Sequence, residues 1–170
     1  MTLYDTVVIG AGPGGMTAAM YAARSELKVL LLERGAPGGQ MNNTAEIENY
    51  PGYETIMGPD LSMKMYEPLE GLGVENAYGI VQNVTVNADG IKQVITEDEV
   101  FEAKTVIIAT GAQHRHLNVP GEEEYGARGV SYCAVCDGAF FRNQDILVVG
   151  GGDSAVEEAL FLTRFGSSVT

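Results

Sequence analysis

Short runs of branched apolar residues alternate, in the first part of the chain, with a stretch whose apolar residues recur at helical spacing. Residues 6–9 read Thr-Val-Val-Ile, which is typical of a strand buried on both faces. The next segment carries apolar residues at i, i+3, i+4 and i+7 on one helix face: Met16, Ala19, Met20 and Ala23. Residues 28–32 form a second apolar run, so the pattern predicts a β-α-β unit within the first 35 residues.

Weaker patterns continue through the middle of the chain. Residues 34–59 are rich in Gly, Asn and Pro, and a loop of this length is usually functional or disordered. Residues 60–72 predict a helix, and the short alternating runs of residues 74–101 predict a small antiparallel meander with a turn at Asp89–Gly90. Residues 105–109 predict another buried strand.

A second strand-to-helix unit is predicted near the end of the chain. Residues 145–149 are apolar, three glycines follow, and residues 153–165 have helical periodicity before an extended run at 168–170. One strand, one helix and the first residues of another strand cannot bury both faces of a sheet. We therefore expect the chain to be the N-terminal portion of a longer protein.

These elements predict an α/β fold with two Rossmann-like, three-layer domains, the first of which contains the antiparallel meander. Residues 1–111 are predicted to form most of the first nucleotide-binding domain, and the second is predicted to begin at residue 132 and to be truncated. Residues 112–131 contain Pro120-Gly121 and the acidic run 122–124, and are predicted to be an interdomain linker in which the acidic run is a solvated loop.

Composition narrows the classes of function. The 45% hydrophobic and 19% charged residues are typical of an ordinary globular protein. The net charge of −13, with only 10 Lys and Arg, argues against nucleic acid or an anionic membrane as a partner. No apolar run reaches the roughly 18 residues of a membrane span, and the N-terminus lacks the cationic region of a signal peptide. We expect a cytoplasmic, reducing environment.

The first glycine motif, Gly10-Ala11-Gly12-Pro13-Gly14-Gly15, lies between the first strand and its helix. In a dinucleotide fingerprint Gly10 would make the tight turn, Gly12 would let the backbone approach a pyrophosphate, and Gly15 would allow close helix packing. Glu33 ends the next strand, where an acidic residue binds ribose hydroxyls. The alternative is a glycine-rich turn without a ligand, but the strand, the helix and the acidic residue all favour the fingerprint.

The second glycine motif reads Gly150-Gly151-Gly152-Asp153-Ser154-Ala155. Its last position is Ala155, an accepted variant of the fingerprint. The ribose-reading position would lie beyond Thr170, so these residues do not separate NAD from NADP.

The two cysteines stand in Cys133-Ala134-Val135-Cys136, directly before Asp137. A structural zinc site usually needs two such pairs, and the alternatives of inert thiols or of ligation by His114 and His116 have no supporting pattern. In a redox pair one thiol attacks and the other resolves the mixed disulfide. We predict a redox pair without metal, with Asp137 as a proton-transfer group or, alternatively, as a turn or cap residue.

In this order, the motifs resemble those of the low-molecular-weight thioredoxin reductases of bacteria. The resemblance runs over the whole chain and includes Gly-Gly-Gln at 38–40, Glu-Asn-Tyr-Pro-Gly at 48–52 and Ala-Thr-Gly at 109–111. In glutathione-reductase-like relatives the redox cysteines lie in the first nucleotide domain, whereas here they lie in the second, as in the bacterial type.

The resemblance implies two nucleotide cofactors. The residues that it assigns to FAD are Gly10, Gly12, Pro13, Gly14, Gly15, Glu33, Gly39, Gln40, Asn49, Val81, Ala109, Thr110 and Gly111. Those that it assigns to NADPH are Gly150, Gly151, Gly152, Asp153, Ser154 and Ala155.

The resemblance also implies an activity. Electrons would pass from NADPH to FAD, from FAD to the Cys133–Cys136 pair, and then to thioredoxin. Cys136 would face the flavin, Cys133 would exchange with the thioredoxin disulfide, and Asp137 would be the acid. Family members are nearly twice as long and form homodimers. In them the chain completes the second domain and then returns to finish the first, so the resemblance implies that both the second domain and this C-terminal return are truncated here. In the family one nucleotide domain also rotates against the other, and the linker would be the hinge.

Two alternatives stay open. One is a sibling flavoprotein with another donor or acceptor: a peroxiredoxin reductase, a ferredoxin-fed reductase or a dithiol oxidase. The intact second fingerprint favours NADPH over ferredoxin. The other is a non-catalytic nucleotide-binding or interaction module, a truncated chain with no turnover.

Overall fold

The computed structural model describes residues 2–126 and 128–170, which form two compact units. The first unit extends to Ala112, and the second spans Gln113–Thr170. Residues 113–126 and 128–131, which lie in the predicted linker, thus belong to the same compact unit as the cysteine pair. The assignment of a nucleotide to each part of the chain stays a prediction.

One mixed sheet of six strands organises the first unit. In chain order its strands are β1 (Leu3–Ile9), β2 (Val29–Glu33), β3 (Glu75–Tyr78), β4 (Val81–Val86), β5 (Lys92–Thr96) and β6 (Val100–Ile108). Across the sheet they lie in the order β3-β2-β1-β6-β5-β4. The helices of this unit are α1 (Pro13–Arg24) and α2 (Gly58–Gly71), and a 3-10 turn covers Gly39–Asn43. The predicted α/β fold with an antiparallel meander is confirmed.

The prediction of an antiparallel meander is nevertheless wrong for Glu75–Tyr78. This segment is β3, which pairs in parallel with β2. Helix α2 lies between the two strands in the chain, and such a crossover returns the chain to the same end of the sheet, where the next strand runs parallel. The meander consists of β4, β5 and the first part of β6, which pair antiparallel.

Strand β6 changes its surroundings along its length. Residues Val100–Ala103 pair antiparallel with β5, while the strand also pairs in parallel with β1 from Glu102 to Ile108. The predicted strand 105–109 is therefore the second half of a longer strand. The prediction that this segment is buried is wrong, since Thr105 and Ile107 are exposed and Ile108 is 71% exposed. Beyond Ala103 only β1 pairs with this strand among the described residues.

Apolar residues pack on both faces of the sheet because successive strand residues point to opposite sides. Leu31 packs with Met16 and Ala19 of α1 and with Leu69 of α2. Leu30 and Leu32 belong to a second cluster on the other face: Tyr4, Val7, Ile9, Leu30, Leu32, Val94 and Ala103. The two clusters fix the carboxyl ends of β1 and β2, where the first glycine motif and Glu33 lie.

The second unit has short regular elements. They are α3 (Ala134–Asp137), a 3-10 turn (Gly138–Phe141), β7 (Asp145–Ile146), α4 (Asp153–Leu162) and β8 (Ser168–Val169). The predicted strand 145–149 is shorter in the structure because its parallel partner β8 supplies only two residues. Past them, Thr170 N donates to Ile146 O and Val148 N donates to Thr170 O. None of the described helices in either unit is long and apolar enough to cross a membrane.

Candidate functional site

The turn between β1 and α1 is built by close backbone packing at two glycines. Gly10 has φ +101°, and a Cβ atom there would lie 2.9 Å from the carbonyl carbon of Ala109. A Cβ atom on Gly15 would overlap the carbonyl oxygen of Gly10. Neither position has room for a side chain, so these glycines let the helix start directly against the strand ends.

The other two glycines of the motif face open space. A Cβ atom on Gly12 or Gly14 would meet no atom of the described structure within 4 Å. Gly12 is the extended N-cap residue of α1, without a side-chain cap, and Pro13 follows in the first turn. Backbone N–H groups at a helix start with no partner in the helix are suited to an anionic group. The residues present therefore fit the pyrophosphate of a dinucleotide.

Glu33 lies beside this turn at the end of β2. Its Oε2 accepts a hydrogen bond from Ala11 N at 2.6 Å, and its Oε1 accepts from Arg34 N at 2.8 Å and Gly35 N at 3.0 Å. These bonds hold the carboxylate at the edge of the glycine turn. A ribose hydroxyl can still donate to it because each carboxylate oxygen accepts more than one hydrogen bond.

A cleft next to Glu33 gathers several of the predicted FAD residues. Its lining comprises Ile9, Gly10, Leu32, Glu33, Arg34, Gly79, Ile80, Val81 and Thr110. Val81, which has little motif character in the sequence, thus lies beside the same cleft as the fingerprint. The sequence did not predict three residues of this lining, Arg34, Gly79 and Ile80. Gly79 and Ile80 reach the cleft because they lie in the loop that follows the parallel strand β3.

The loop after β2 approaches the turn from another side. Gly38 N donates to Ala11 O at 2.7 Å, and a Cβ atom on Gly39 would lie 3.3 Å from Gly12 Cα. Gln40 Nε2 donates to Ala112 O at 2.8 Å, next to the predicted residues 109–111. The structure therefore brings Gly39 to the fingerprint and Gln40 to the end of the 109–111 segment.

Asn49 is the predicted FAD residue that the structure does not bring to this group. It lies in the segment between Ile47 and Ile56, which pair as an isolated antiparallel bridge. No hydrogen bond among the described residues links Asn49 to the fingerprint or to the cleft.

In the second unit, Cys133 and Cys136 form a disulfide that spans the four-residue helix α3. Their Cα atoms are 5.3 Å apart, and Cys136 N donates to Cys133 Sγ at 3.2 Å. Asp137 ends the same helical turn, and its N–H donates to Cys133 O at 3.1 Å. The predicted redox pair and its acidic neighbour thus share one turn of backbone. Among residues 2–126 and 128–170, no group of three or more His, Cys, Asp and Glu side chains could hold a metal ion.

Ser131 joins this group, although sequence reasoning did not predict it. Its hydroxyl donates to Asp137 Oδ2 at 2.5 Å and accepts from Cys133 N at 3.1 Å. A serine six residues before an aspartate has no periodic signal, but its position two residues before the first cysteine could have suggested a turn that caps this segment.

A second polar cluster, Glu122, Tyr132, His114 and His116, adjoins the cysteine pair through Tyr132. Glu122 Oε1 accepts from the Tyr132 hydroxyl and, at 2.9 Å, from Leu117 N. The His114 ring stacks on Tyr132 with centroids 4.2 Å apart, and His116 Nδ1 lies 3.3 Å from Glu122 Oε1. The prediction that the acidic run is a solvated loop is wrong for Glu122, which is only 7% exposed.

The hydrogen bond from Tyr132, followed by those from backbone amides including Leu117 N, lowers the pKa of Glu122 from 4.5 to about 2. In return, the hydrogen bond to Glu122 raises the pKa of Tyr132. A carboxyl whose pKa is lower in the folded state stabilises the fold fully above its unfolded pKa. This contribution is therefore present above pH 4.5 and is lost as the pH falls toward 2.

The second glycine motif forms the turn before α4. A Cβ atom on Gly150 would lie 2.8 Å from Ala155 Cβ, so the alanine packs against the first glycine of its motif. Gly151 and Gly152 face open space, and Gly152 is the extended N-cap of α4. Like the first motif, this turn leaves open space in front of the backbone N–H groups at a helix start, so its residues fit the pyrophosphate of a second dinucleotide.

We predict opposite effects for alanine at two neighbouring glycines of the first motif. Gly15→Ala should lower the free energy of unfolding by about 1–3 kcal/mol because its methyl group would overlap the Gly10 carbonyl. Gly14→Ala is the matched control, since its methyl group meets open space and alanine favours a helix. Urea unfolding followed by circular dichroism measures both, and equal stabilities would contradict the packing described.

We predict that Tyr132→Phe raises the pKa of Glu122 toward 4.5, because the phenylalanine cannot donate the hydrogen bond. A ¹³C NMR titration of the side-chain carboxyls measures this directly, and Glu123→Gln serves as a neighbouring control. Glu122→Gln should also destabilise the fold at neutral pH more than at pH 3. An unchanged Glu122 titration in Tyr132→Phe would refute the assigned cause.

Comparison with known proteins shows which family has this sequence and fold. The sequence model for "Pyridine nucleotide-disulphide oxidoreductase" matches residues 4–170. Thioredoxin reductases of Listeria monocytogenes and Bacillus subtilis are 56% and 55% identical over 168 residues, which cover 99% of this chain and 52% and 53% of theirs. The chain thus spans about half the length of these relatives.

Solved structures give the same result. A thioredoxin reductase from Streptococcus pyogenes is 69% identical with a TM-score of 0.91, over 98% of this chain and 54% of that one. That of Lactococcus lactis, in its FR conformation, is 78% identical with a TM-score of 0.67, over 98% and 55%. The predicted resemblance to bacterial thioredoxin reductases is confirmed, and this chain belongs to the pyridine nucleotide-disulphide oxidoreductase family.

Proposed function

We propose that this chain carries the dithiol centre and the first parts of both nucleotide sites of an NADPH-dependent thioredoxin reductase. The observation that carries the proposal is the Cys133–Cys136 disulfide on one helical turn with Asp137, in a chain 56% identical to a thioredoxin reductase. Electrons pass from NADPH through FAD to this disulfide and then to the disulfide of thioredoxin.

In this proposal the first unit holds FAD. The N–H groups at the start of α1, next to Gly12 and Pro13, bind the pyrophosphate, and Glu33 binds ribose hydroxyls. The cleft with Val81 and Thr110 takes the adenosine end, and Gly39 and Gln40 close the turn from the loop side. The flavin, when bound, supplies the two electrons that reduce the disulfide.

The second unit holds NADPH and the dithiol. Gly150–Ala155 opens α4 toward the nicotinamide nucleotide. Cys136 receives electrons from the flavin side, Cys133 exchanges with thioredoxin, and Asp137 transfers protons. Thioredoxin as partner, NADPH as donor, a cytoplasmic location and a homodimer of the full-length enzyme belong to the same proposal. The relatives' names support thioredoxin, and the other features follow from the resemblance.

Gly12→Ala tests the FAD site separately from the fold. The added methyl group meets no atom of the described chain, but it would occupy the space into which a pyrophosphate must come. We expect unchanged unfolding without FAD and weaker FAD binding, by about 1.5–3 kcal/mol if one charge-assisted hydrogen bond is lost. Gly71→Ala, which also faces open space, is the matched control. Flavin absorbance and fluorescence titrations measure the affinity, and wild-type affinity in Gly12→Ala would count against FAD at this turn.

Cys136→Ser tests the electron path. The variant should lose NADPH-dependent thioredoxin reduction, because no disulfide can form, while the flavin is still reduced by NADPH. Both reactions are followed by absorbance, in the chain itself and in a fusion that supplies the C-terminal half of the Bacillus subtilis relative. Reduction of the flavin by NADPH is the internal control. A rate of thioredoxin reduction equal to that of the wild type would contradict the proposal.

A further inference from the structure

We propose that Ser131 is a positioning residue that holds the Asp137 carboxylate for proton transfer at the Cys133–Cys136 pair. The inference rests on the proposed function only in taking this pair as redox-active. It assigns a role to a residue outside the Cys-x-x-Cys-Asp motif, and it specifies which carboxylate oxygen moves the proton.

The hydroxyl of Ser131 makes two hydrogen bonds whose directions are fixed by chemistry. Cys133 N–H can only donate, so at 3.1 Å it donates to Ser131 Oγ. Asp137 Oδ2, at 2.5 Å, accepts the hydroxyl proton, while Cys133 O is a more distant acceptor at 3.4 Å. Backbone, hydroxyl and carboxylate thus form one chain of hydrogen bonds that begins at the first cysteine.

This chain fixes the side chain of Asp137. Asp137 is only half-buried, and a carboxylate on an unpacked side chain samples several rotamers. Its backbone is tied to Cys133 O at 3.1 Å, and the Ser131 hydroxyl ties its Oδ2. The backbone and the side chain of Asp137 are therefore both held, directly or through Ser131, by hydrogen bonds to Cys133. A group that exchanges a proton with a cysteine sulfur needs such a fixed position.

The hydrogen bond from Ser131 also makes the two carboxylate oxygens of Asp137 different from each other. Oδ2 accepts the Ser131 hydroxyl, whereas no hydrogen bond within the described part of the chain reaches Oδ1, so we assign the mobile proton to Oδ1. During oxidation of the dithiol, Asp137 Oδ1 takes the proton from one thiol. The thiolate then attacks an acceptor disulfide, RS–SR, forming a mixed disulfide and releasing RS⁻, which takes the proton back from Asp137.

The second cysteine completes the exchange. Its thiol gives its proton to Asp137, and the thiolate attacks the sulfur of the first cysteine in the mixed disulfide, closing the Cys133–Cys136 bond and releasing the second RS⁻, which takes up that proton. The two electrons of the dithiol reduce one acceptor disulfide to two thiols, and both protons leave with the products. Without the Ser131 hydroxyl the sulfur chemistry is unchanged, but the carboxylate is no longer held in place.

The test uses the chain alone and a small acceptor. The chain is reduced, freed of reductant and mixed with oxidised glutathione; samples are quenched in acid, and the remaining thiols are alkylated and counted by mass spectrometry. The chain has only two cysteines, so every thiol counted belongs to the pair. FAD, NADPH and thioredoxin are absent, so a failure of the proposed enzyme activity does not affect this measurement.

We expect Ser131→Ala to slow the exchange about tenfold, the effect of losing one hydrogen bond to a charged group. Ser131→Thr keeps the hydroxyl and should restore most of the rate, whereas Ser131→Val, of the same shape, should not. In an Asp137→Asn background, Ser131→Ala should have no further effect. Ser168→Ala is the matched control, since it removes a similar 2.6 Å bond to Asp145 and should leave the rate unchanged.

The outcomes separate the possibilities. If Asp137→Asn slows exchange and both Ser131→Ala and Ser131→Val react at the wild-type rate, the positioning role is refuted. Wild-type rates in Asp137→Asn refute it too, because there is then no carboxylate to position. Slowing by Ser131→Ala that persists in full in the Asp137→Asn background indicates a merely structural effect and also overturns the proposal. The Thr and Val pair decides the matter if Ser131→Ala fails to fold by circular dichroism.

Discussion

Backbone meets backbone where β1 ends, and the candidate nucleotide site depends on this contact. At Gly10 the chain lies so close to Ala109, and at Gly15 so close to Gly10, that neither position accommodates a Cβ atom. Because β1, the start of α1 and the end of β6 converge there, the helix N–H groups, the Glu33 carboxylate and the 109–111 segment share one edge of the sheet. A looser turn would separate these groups even if each remained present.

Those parts of the fold that follow from local patterns could be predicted from the sequence. The β-α-β unit, the two glycine turns and the position of Glu33 depend on periodicity and on spacing within about 35 residues. The direction of β3 could not be predicted in this way, because its short sequence alternates like any edge strand and its partner, β2, lies more than 40 residues earlier. The same holds for Gly79 and Ile80, which that strand delivers to the cleft.

The loop chemistry of the second unit was hidden for a different reason. Glu122 lies within residues 112–131, and Tyr132 directly follows them. The Pro120-Gly121 pair and the acidic run of this segment are typical of a solvated linker. These two side chains are held by individual hydrogen bonds, such as those from Leu117 N and Asn118 N to the Glu122 carboxylate. Such bonds leave no periodic pattern in the sequence, so they could not be predicted from it. Ser131 is a similar case. In such segments a single side chain can hold several stretches of backbone together, and only the three-dimensional structure shows these hydrogen bonds.

The pairing of β1 with β6 has a consequence for the order in which the chain folds. The Thr105 hydroxyl binds Asp5 O, 100 positions earlier, and the two strands are neighbours in the sheet. Contacts of such separation close large loops and form late. During synthesis on the ribosome, β1, α1 and β2 can associate early, but the glycine turn lacks the Ala109 backbone until that residue has emerged. The phosphate-binding edge is therefore completed only after most of the first unit has been translated.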